Sequence, residues 1–154
     1  MVQMWWNLIS RISKFFRWLW LQEGSPGYRA RGLAIGVFCG FFPFFGFQTL
    51  LGITLASLLR GNHLLAVSGT WISNPVTYFP IYWLNYKVGT ALLDKDQNIH
   101  QLSKVGWQEI SAQGWVFFSR LLLGSALLGT LVGILTGILV YIVLRLRYPS
   151  KSIY

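Results

Sequence analysis

The side chains best suited to chemistry in this sequence are neutral amides and hydroxyls that lie close to a proline or a glycine in long uncharged stretches. The candidate binding residues of this kind are Pro43, Gly46, Gln48, Thr49, Asn62, Ser73, Asn74 and Pro75. The same stretches also contain Thr54, Ser68, Thr70, Thr77 and Asn85. Such groups beside a broken helix can hydrogen-bond a lipid headgroup, a sugar or a hydrated ion. They can equally satisfy backbone groups that a proline leaves without an intrahelical partner, and both interpretations stay open.

Catalytic and metal-binding patterns are not found in the sequence. It contains no carboxylate pair suited to acid–base catalysis, no metal-ligand spacing and no phosphate-binding glycine loop. We expect His63 to end a helix and His100 to lie in a linker. Cys39 is the only cysteine, so no disulfide can form within one chain, and we expect it to be a small buried residue. We therefore expect no enzyme, no metal and no cofactor.

The charge pattern places these groups in a membrane protein. The 154 residues include 13 Lys and Arg against 4 Asp and Glu, with 54% hydrophobic residues. Formal charges are missing from residues 32–59, 61–86 and 121–144, and each stretch exceeds the roughly 20 residues that cross a bilayer. The cations lie at the ends of these stretches rather than on one polar face. This excludes an ordinary soluble domain and gives no support to a nucleic-acid partner.

Residues 1–24 are predicted to form an amphipathic helix on the membrane surface. Apolar residues recur with helical spacing over residues 4–21, and Arg11, Lys14 and Arg17 lie on the opposite side. A basic amphipathic helix of this kind lies among lipid headgroups, which makes membrane lipid an expected partner. The alternative is a helix that packs its apolar face against the rest of the protein.

The first uncharged stretch is interrupted near its centre. Ser25 and Pro26 predict a helix start, a helix over 26–41 follows, and a second helix over 47–59 comes after the break from Pro43 to Gly46. One kinked helix across the bilayer fits this pattern. We favour a re-entrant hairpin with its tip at the break, because each arm is too short to cross and Arg29, Arg31 and Arg60 then share one side.

The second uncharged stretch has a similar interruption. Asn62 is predicted to cap a helix that reaches about residue 72, and a further helix over 80–93 follows the polar segment 73–80. Two interrupted hydrophobic segments in succession are typical of transporter-like architectures with paired repeats. We therefore predict a second re-entrant hairpin, so that residues 25–93 form a core of two interrupted hairpins.

The chain is predicted to end in a polar linker over 94–110 and a transmembrane segment over 111–154, with its helix at about 114–146. The fold class is an all-α integral membrane protein. Two stripes of small residues at four-residue spacing are expected in helix packing: Gly32, Gly36 and Gly40, and Gly129, Gly133 and Gly137. Such stripes let helix backbones approach closely, either within one monomer or between subunits of a homo-oligomer.

Several of these motifs resemble the bacterial domain-of-unknown-function 2062 membrane family over residues 25–93. The similar segments are AIGVFCGFFPFFGFQTL at 34–50, Arg60-Gly61-Asn62, GTWISNP at 69–75 and YKVG at 86–89. The resemblance points to Pro43, Gly46, Gln48, Asn62, Asn74 and Pro75 as site residues. The family is distantly similar to the DedA and small multidrug-export families, in which paired re-entrant loops are proposed to form a transport or lipid-scrambling site. DedA-type loops carry acidic and arginine residues, and residues 43–49 and 73–80 have neither, so proton coupling is not expected.

The resemblance implies a protein of the bacterial inner membrane. The expected function is to bind a lipid or small solute, or to ease its passage, through paired broken helices. The alternative is a non-catalytic scaffold or accessory subunit with a membrane-protein partner, because some relatives are fused to glycosyltransferases that act on lipid-linked sugars.

Overall fold

The computed structural model describes residues 23–93 and 107–147, with side chains from residue 114 onward in the last helix. This part of the chain is all helical and has no strand. Its helices are α1 (Pro26–Gly40), α2 (Phe47–Leu58), α3 (His63–Thr70), α4 (Tyr78–Leu93) and α5 (Trp107–Arg147). The all-α prediction is confirmed for these residues. The predicted amphipathic helix and residues 94–106 of the predicted linker lie outside the described residues.

Two helices begin at the side-chain caps that the sequence predicts. The Ser25 hydroxyl accepts a hydrogen bond from Tyr28 N at 3.2 Å, and Pro26 occupies the first turn of α1. The Asn62 side-chain oxygen accepts one from Leu65 N at 3.0 Å at the start of α3. Each cap satisfies a backbone N–H that has no intrahelical partner.

The first uncharged stretch is a hairpin and not one kinked helix. Asn62 N donates to Tyr28 O at 3.0 Å, and the Arg31 guanidinium donates to Arg60 O at 3.0 Å. The end of α2 is thereby joined to the start of α1, so the two helices are antiparallel. The turn between them contains Gly46, which has a φ of +82°. Residues with a β-carbon rarely adopt this backbone conformation.

Helix α3 packs parallel to α1 in very close contact. A β-carbon built on Gly32 would lie 2.7 Å from Asn62 N, and one on Gly36 would lie 2.8 Å from the α-carbon of Gly69. Residue numbers increase in the same direction in both helices, from the Gly32–Asn62 contact to the Gly36–Gly69 contact. Both helices therefore start at the same end of the molecule.

The second predicted hairpin is wrong, because α4 does not fold back on α3. Helix α5 is antiparallel to α1, since Ala30 packs against Leu144 while Gly133 lies against Ala34. It is also antiparallel to α4, since Gly89 lies against Arg120 while Gly124 lies against Asn85. Helices α1, α3 and α4 therefore share one direction.

The geometry of the second break explains why the chain does not reverse. The Asn74 side-chain oxygen accepts hydrogen bonds from Val76 N and Thr77 N, and the Thr77 hydroxyl donates to Ile72 O at 2.6 Å. These bonds make a compact turn that restarts a helix in the direction of α3. Helix α4 then continues beyond the end of α1 and packs on the other half of α5.

Helix α5 packs against both α1 and α4. It has 41 residues, which corresponds to a length of about 62 Å. Within it, Gly114–Arg147 is long and apolar enough to cross a membrane. The helix begins seven residues before the predicted position 114, because Gln108 and Glu109 are good helix formers and extend it into the predicted linker.

The described helices bury few large side chains and expose many. The buried clusters consist mostly of small residues such as Cys39, Ala56 and Ala66. Phe79 is 80% exposed and Leu58 is 73% exposed, and exposed leucines and isoleucines extend along α5. An apolar surface of this extent is normally covered by lipid or by another protein.

Candidate functional site

The first helix break, residues 41–46, contacts α4 just after the second break, residues 71–77, and does so beside the middle of α5. The ring of Phe45 packs edge-on against the ring of Tyr78, with centroids 4.9 Å apart. The Tyr82 hydroxyl donates to Phe42 O at 3.3 Å. The first break is therefore in direct contact with the first turn of α4, immediately after the second break. We call this region the junction.

The fully buried Asn85, a residue of α4, hydrogen-bonds both the first break and α5. The Asn85 amide nitrogen donates to Phe41 O at 2.8 Å and to the Ser125 hydroxyl oxygen at 2.9 Å. Because a carbonyl can only accept, the bond to Phe41 fixes the orientation of this amide. Its oxygen has no hydrogen-bond partner. One side chain thus joins the first break, α4 and α5.

The junction lies well inside the apolar length of α5. Ser125 is eleven residues from Gly114 and 22 residues from Arg147, or about 17 and 33 Å along the helix axis. Gly129 extends the contact, since a β-carbon there would lie 3.0 Å from Phe38 O. Polar groups at such a depth cost free energy unless they are hydrogen-bonded.

Among the residues predicted from the sequence, Gln48 has a side-chain oxygen without a partner. Gln48 is 6% exposed, and this oxygen is buried. Its neighbour Thr49 has its hydroxyl 3.3 Å from the Thr70 hydroxyl, which itself donates to Val67 O. Since a hydroxyl has one proton, Thr49 is the donor in this pair.

The other predicted candidates have local structural contacts. Asn62 and Asn74 cap the segments that follow them, and the Ser73 hydroxyl donates to Thr70 O at 3.1 Å. Pro43 is partly buried in the first break, and Pro75 is exposed in the second. For Asn62, Ser73 and Asn74 the structure supports the structural interpretation, in which the side chain satisfies nearby backbone groups.

Both glycine stripes are packed inside this chain. Gly32, Gly36 and Gly40 lie against residues of α3 and the segment that follows it, and Gly129, Gly133 and Gly137 lie against α1. A β-carbon at Gly133 would lie 3.3 Å from the β-carbon of Phe38. Neither stripe is therefore a free surface for a second subunit.

A serine and a histidine lie together near the start of α3, but their hydrogen bonds do not activate a nucleophile. The Ser57 hydroxyl donates to Ile53 O at 3.0 Å and lies 2.8 Å from the His63 Nε2 atom. Its one proton is directed to Ile53, so the histidine donates to the serine. Activation would require the opposite direction. The described residues also contain no cluster of three metal-ligating side chains.

Sequence reasoning missed the pairing of Asn85 with Ser125. Asn85 is one of several neutral polar residues in the uncharged stretches, and Ser125 continues the second stripe of small residues four positions before Gly129. The usable signal is the pair of glycines beside them, Gly89 and Gly124, whose positions have no room for a β-carbon where α4 crosses α5. A polar residue near such a crossing is close enough to hydrogen-bond the backbone or a side chain of the facing helix.

Two adjoining apolar grooves lie along the contact between α1 and α5. The groove nearer the basic end of the molecule has a volume of about 320 Å³ and is lined by Gly27, Ala30, Arg31, Ala34, Ile134, Gly137, Ile138 and Tyr141. The deeper groove has about 310 Å³ and is lined by Ala34, Ile35, Phe38, Leu55, Leu59, Thr130, Gly133 and Ile134. They share Ala34 and Ile134 and therefore adjoin, and we call the two together the furrow.

Family membership rests on a match over nearly the whole chain. The family model described as "Uncharacterized protein conserved in bacteria (DUF2062)" matches residues 9–152, which extends on both sides of the predicted resemblance over 25–93. No curated protein and no solved structure shows a significant match. The chain therefore belongs to the DUF2062 family of bacterial proteins.

Proposed function

We propose that this protein is embedded in a membrane, binds lipid and lets lipid headgroups pass the bilayer at the junction. The observation that supports this most directly is the buried Asn85–Ser125 pair, which joins the first break and α4 to α5 about a third of the way along the apolar segment Gly114–Arg147. Neutral polar side chains between membrane helices hydrogen-bond across the interface, and the same groups can hydrogen-bond a lipid headgroup when the interface opens.

The helix lengths suit a definite arrangement in the bilayer. Helix α5 crosses once. Helices α3 and α4 have 8 and 16 residues, about 36 Å in all, and cross together as one interrupted span of the roughly 30 Å core. The α1–α2 hairpin enters from the end where Arg31, Arg60 and Arg145 lie and stops at the junction. The positive-inside rule places that end in the cytoplasm.

The junction is held by few contacts and can open between α1 and α4. Both helices pack on α5, and α4 meets the first break, which follows α1, through the hydrogen bonds of Asn85 and Tyr82 and the ring contacts of Phe45. Opening exposes Phe41 O, the Asn85 amide and the Ser125 hydroxyl at mid-depth. A headgroup that crosses there exchanges water for these partners, which lowers the cost of leaving water.

Lipid fits the described surface better than a polar solute does. The furrow between α1 and α5 is lined almost entirely by apolar residues, and such a lining suits an acyl chain. The polar junction lies directly beyond its deep end, at Phe38 and Gly129. A molecule with an apolar chain and a polar head matches an apolar furrow that leads to a polar junction. The distant DedA similarity suggested by the motifs agrees with this proposal and remains a prediction.

The test is lipid transfer between bilayer leaflets in vesicles that contain the purified protein. Fluorescent phospholipid in the inner leaflet is protected from an impermeant quencher, so transfer shows as additional quenching. We expect faster transfer than in empty vesicles, and transfer close to the empty-vesicle rate for Ser125→Ala and Asn85→Leu. The matched control is Ser119→Ala, because the Ser119 hydroxyl donates only to its own helix at Val116 O. Wild-type transfer no faster than in empty vesicles would refute the proposal, as would full activity of Ser125→Ala.

The alternative function is a scaffold for a membrane-protein partner. The glycine stripes do not supply its binding surface, because they are packed within the chain. A scaffold would need another surface, such as the face of α2 on which Phe47 and Leu50 are 68% and 59% exposed.

A further inference from the structure

The furrow between α1 and α5 has the dimensions of a site for one lipid chain. We call it the seam groove and define it by Ala30, Arg31, Ala34, Ile134, Gly137 and Ile138, with its deep end at Phe38. From Gly27 to Phe38 it follows eleven residues of α1, or about 17 Å. One leaflet of the hydrocarbon core is half of roughly 30 Å. The volumes of its two parts, 320 and 310 Å³, each lie at the lower end of the usual range for ligand pockets.

Small residues create the groove and leave it open toward the membrane. Ala30, Ala34 and Gly137 keep the backbones of α1 and α5 close without filling the space beside them. Ile134 and Ile138 are 55% and 53% exposed and form the outer wall. A lipid can therefore enter sideways from the bilayer and does not need a passage through the protein interior.

The mouth of the groove carries positive charge. Arg31 lines it and is exposed, and its guanidinium uses one N–H to bond Arg60 O. A guanidinium has five N–H donors, so others remain for a phosphate. Among the described residues at this end the cations are Arg29, Arg31, Arg60, Arg145 and Arg147, and Glu23 is the one acid. This excess favours an anionic occupant over a zwitterionic one.

We infer that the seam groove binds an anionic phospholipid, with one acyl chain along α1 and α5 and its phosphate against Arg31. The inference deepens the proposed function and rests on it for the orientation of the chain in the membrane. It names the lipid class that enters the site and the end from which it is loaded.

The experiment is native mass spectrometry of the full-length protein in detergent, titrated with phosphatidylglycerol and with phosphatidylcholine of the same acyl chains. We expect one phosphatidylglycerol to bind about tenfold more tightly than phosphatidylcholine, because both lipids present a phosphate to Arg31 but only phosphatidylcholine carries an ammonium group that the arginine repels. Arg31→Gln should remove this preference. Lys87→Gln, which removes a positive charge from α4 at a position that does not line the groove, should keep it.

A second pair of variants tests the groove without changing charge. Positions 27 and 114 both have open space around a β-carbon, so the same substitution to phenylalanine can be compared at the two positions. Gly27→Phe fills the mouth of the groove and should weaken binding of both lipids about tenfold, while Gly114→Phe should bind as the wild type does.

Each other outcome overturns the inference. Equal affinity for the two lipids would remove the role of Arg31, and unchanged binding in Gly27→Phe would place the lipid elsewhere. A dimer that Gly27→Phe dissociates would assign the groove to a second copy of the chain, and lipid binding that appears only after deletion of residues 1–22 would assign it to that segment. Selective binding without any leaflet transfer would refute the proposed function and leave the groove site established, so the two failures are distinguishable.

Discussion

The crossing of α1 and α3 gives the most direct test of the structure. A β-carbon at Gly36 would meet the carbonyl oxygen of Ala66 and lie 2.8 Å from both the Ala66 carbonyl carbon and the Gly69 α-carbon. All three are backbone atoms, so no flexible side chain can move aside. Gly36→Ala therefore forces the two helices apart. Gly27→Ala is the matched control, because a β-carbon there has nothing within 4 Å.

The two substitutions are expected to change the free energy of unfolding in opposite directions. Ordinary contact begins near 3.4 Å, so the helices must separate by at least about 0.6 Å at Gly36. Inserting a methyl group into a packed core costs about 1–3 kcal/mol, which outweighs the gain of up to about 1 kcal/mol from replacing a helical glycine. At Gly27 that gain is unopposed. We expect Gly36→Ala to unfold at lower temperature than the wild type and Gly27→Ala at equal or higher temperature.

Thermal unfolding in detergent, followed by far-ultraviolet circular dichroism, measures both variants under one condition. The decisive quantity is the difference between their midpoints, because both carry the same substitution in the same helix. If Gly36→Ala is as stable as Gly27→Ala, the close parallel packing of α1 on α3 is refuted.

Three further predictions concern the first break, a helix cap and the topology. Gly46→Ala should destabilise the protein by about 1–3 kcal/mol through backbone strain alone, since its φ is +82° and its β-carbon would be in open space; denaturant unfolding measures this. Asn62→Ala should cost about 1 kcal/mol through loss of the α3 cap, by the same assay. In a Cys39→Ser background, single cysteines replacing Glu23 and Arg60 should react with an impermeant thiol reagent on one side of the membrane, and a cysteine replacing Leu93 on the other.

These predictions have separate contradicting results. Gly114→Ala is the control for Gly46→Ala, and equal stability of the two variants would contradict the strained turn. An unfolding midpoint of Asn62→Ala equal to that of the wild type would contradict the cap. Labelling of all three cysteines on one side would restore the second hairpin and contradict the shared direction of α3 and α4.

The helix boundaries were predictable because their signals are local. Ser25 with Pro26 and the capping Asn62 act within one helical turn, and the breaks at Pro43 and Pro75 follow from the missing backbone donor of proline. The structure places the starts of α1 and α3 where these signals predict.

The direction of the chain after the second break was not predictable in this way. Whether a turn reverses depends on what the next helix packs against, and the partner of α4 is a helix that comes later in the sequence. The candidate site has the same limit, since Asn85 and Ser125 are 40 residues apart and meet only through the crossing of α4 and α5. Side chains such as Ser73 and Asn74 hydrogen-bond nearby backbone groups, as polar residues beside a proline often do.

The order of the helices along the chain has a consequence for biosynthesis. Ala30 in α1 packs against Leu144, 114 residues later, and contacts of such high sequence separation form slowly. Helices α1 and α2 have 15 and 12 residues, too few to cross a bilayer as separate spans. Because α1 and α2 precede α5 in the chain, the hairpin leaves the ribosome before α5, the helix against which α1 packs. Truncation of α5 just after Ser125 would leave the Asn85–Ser125 pair in the sequence and still remove the half of α5 on which α1 packs.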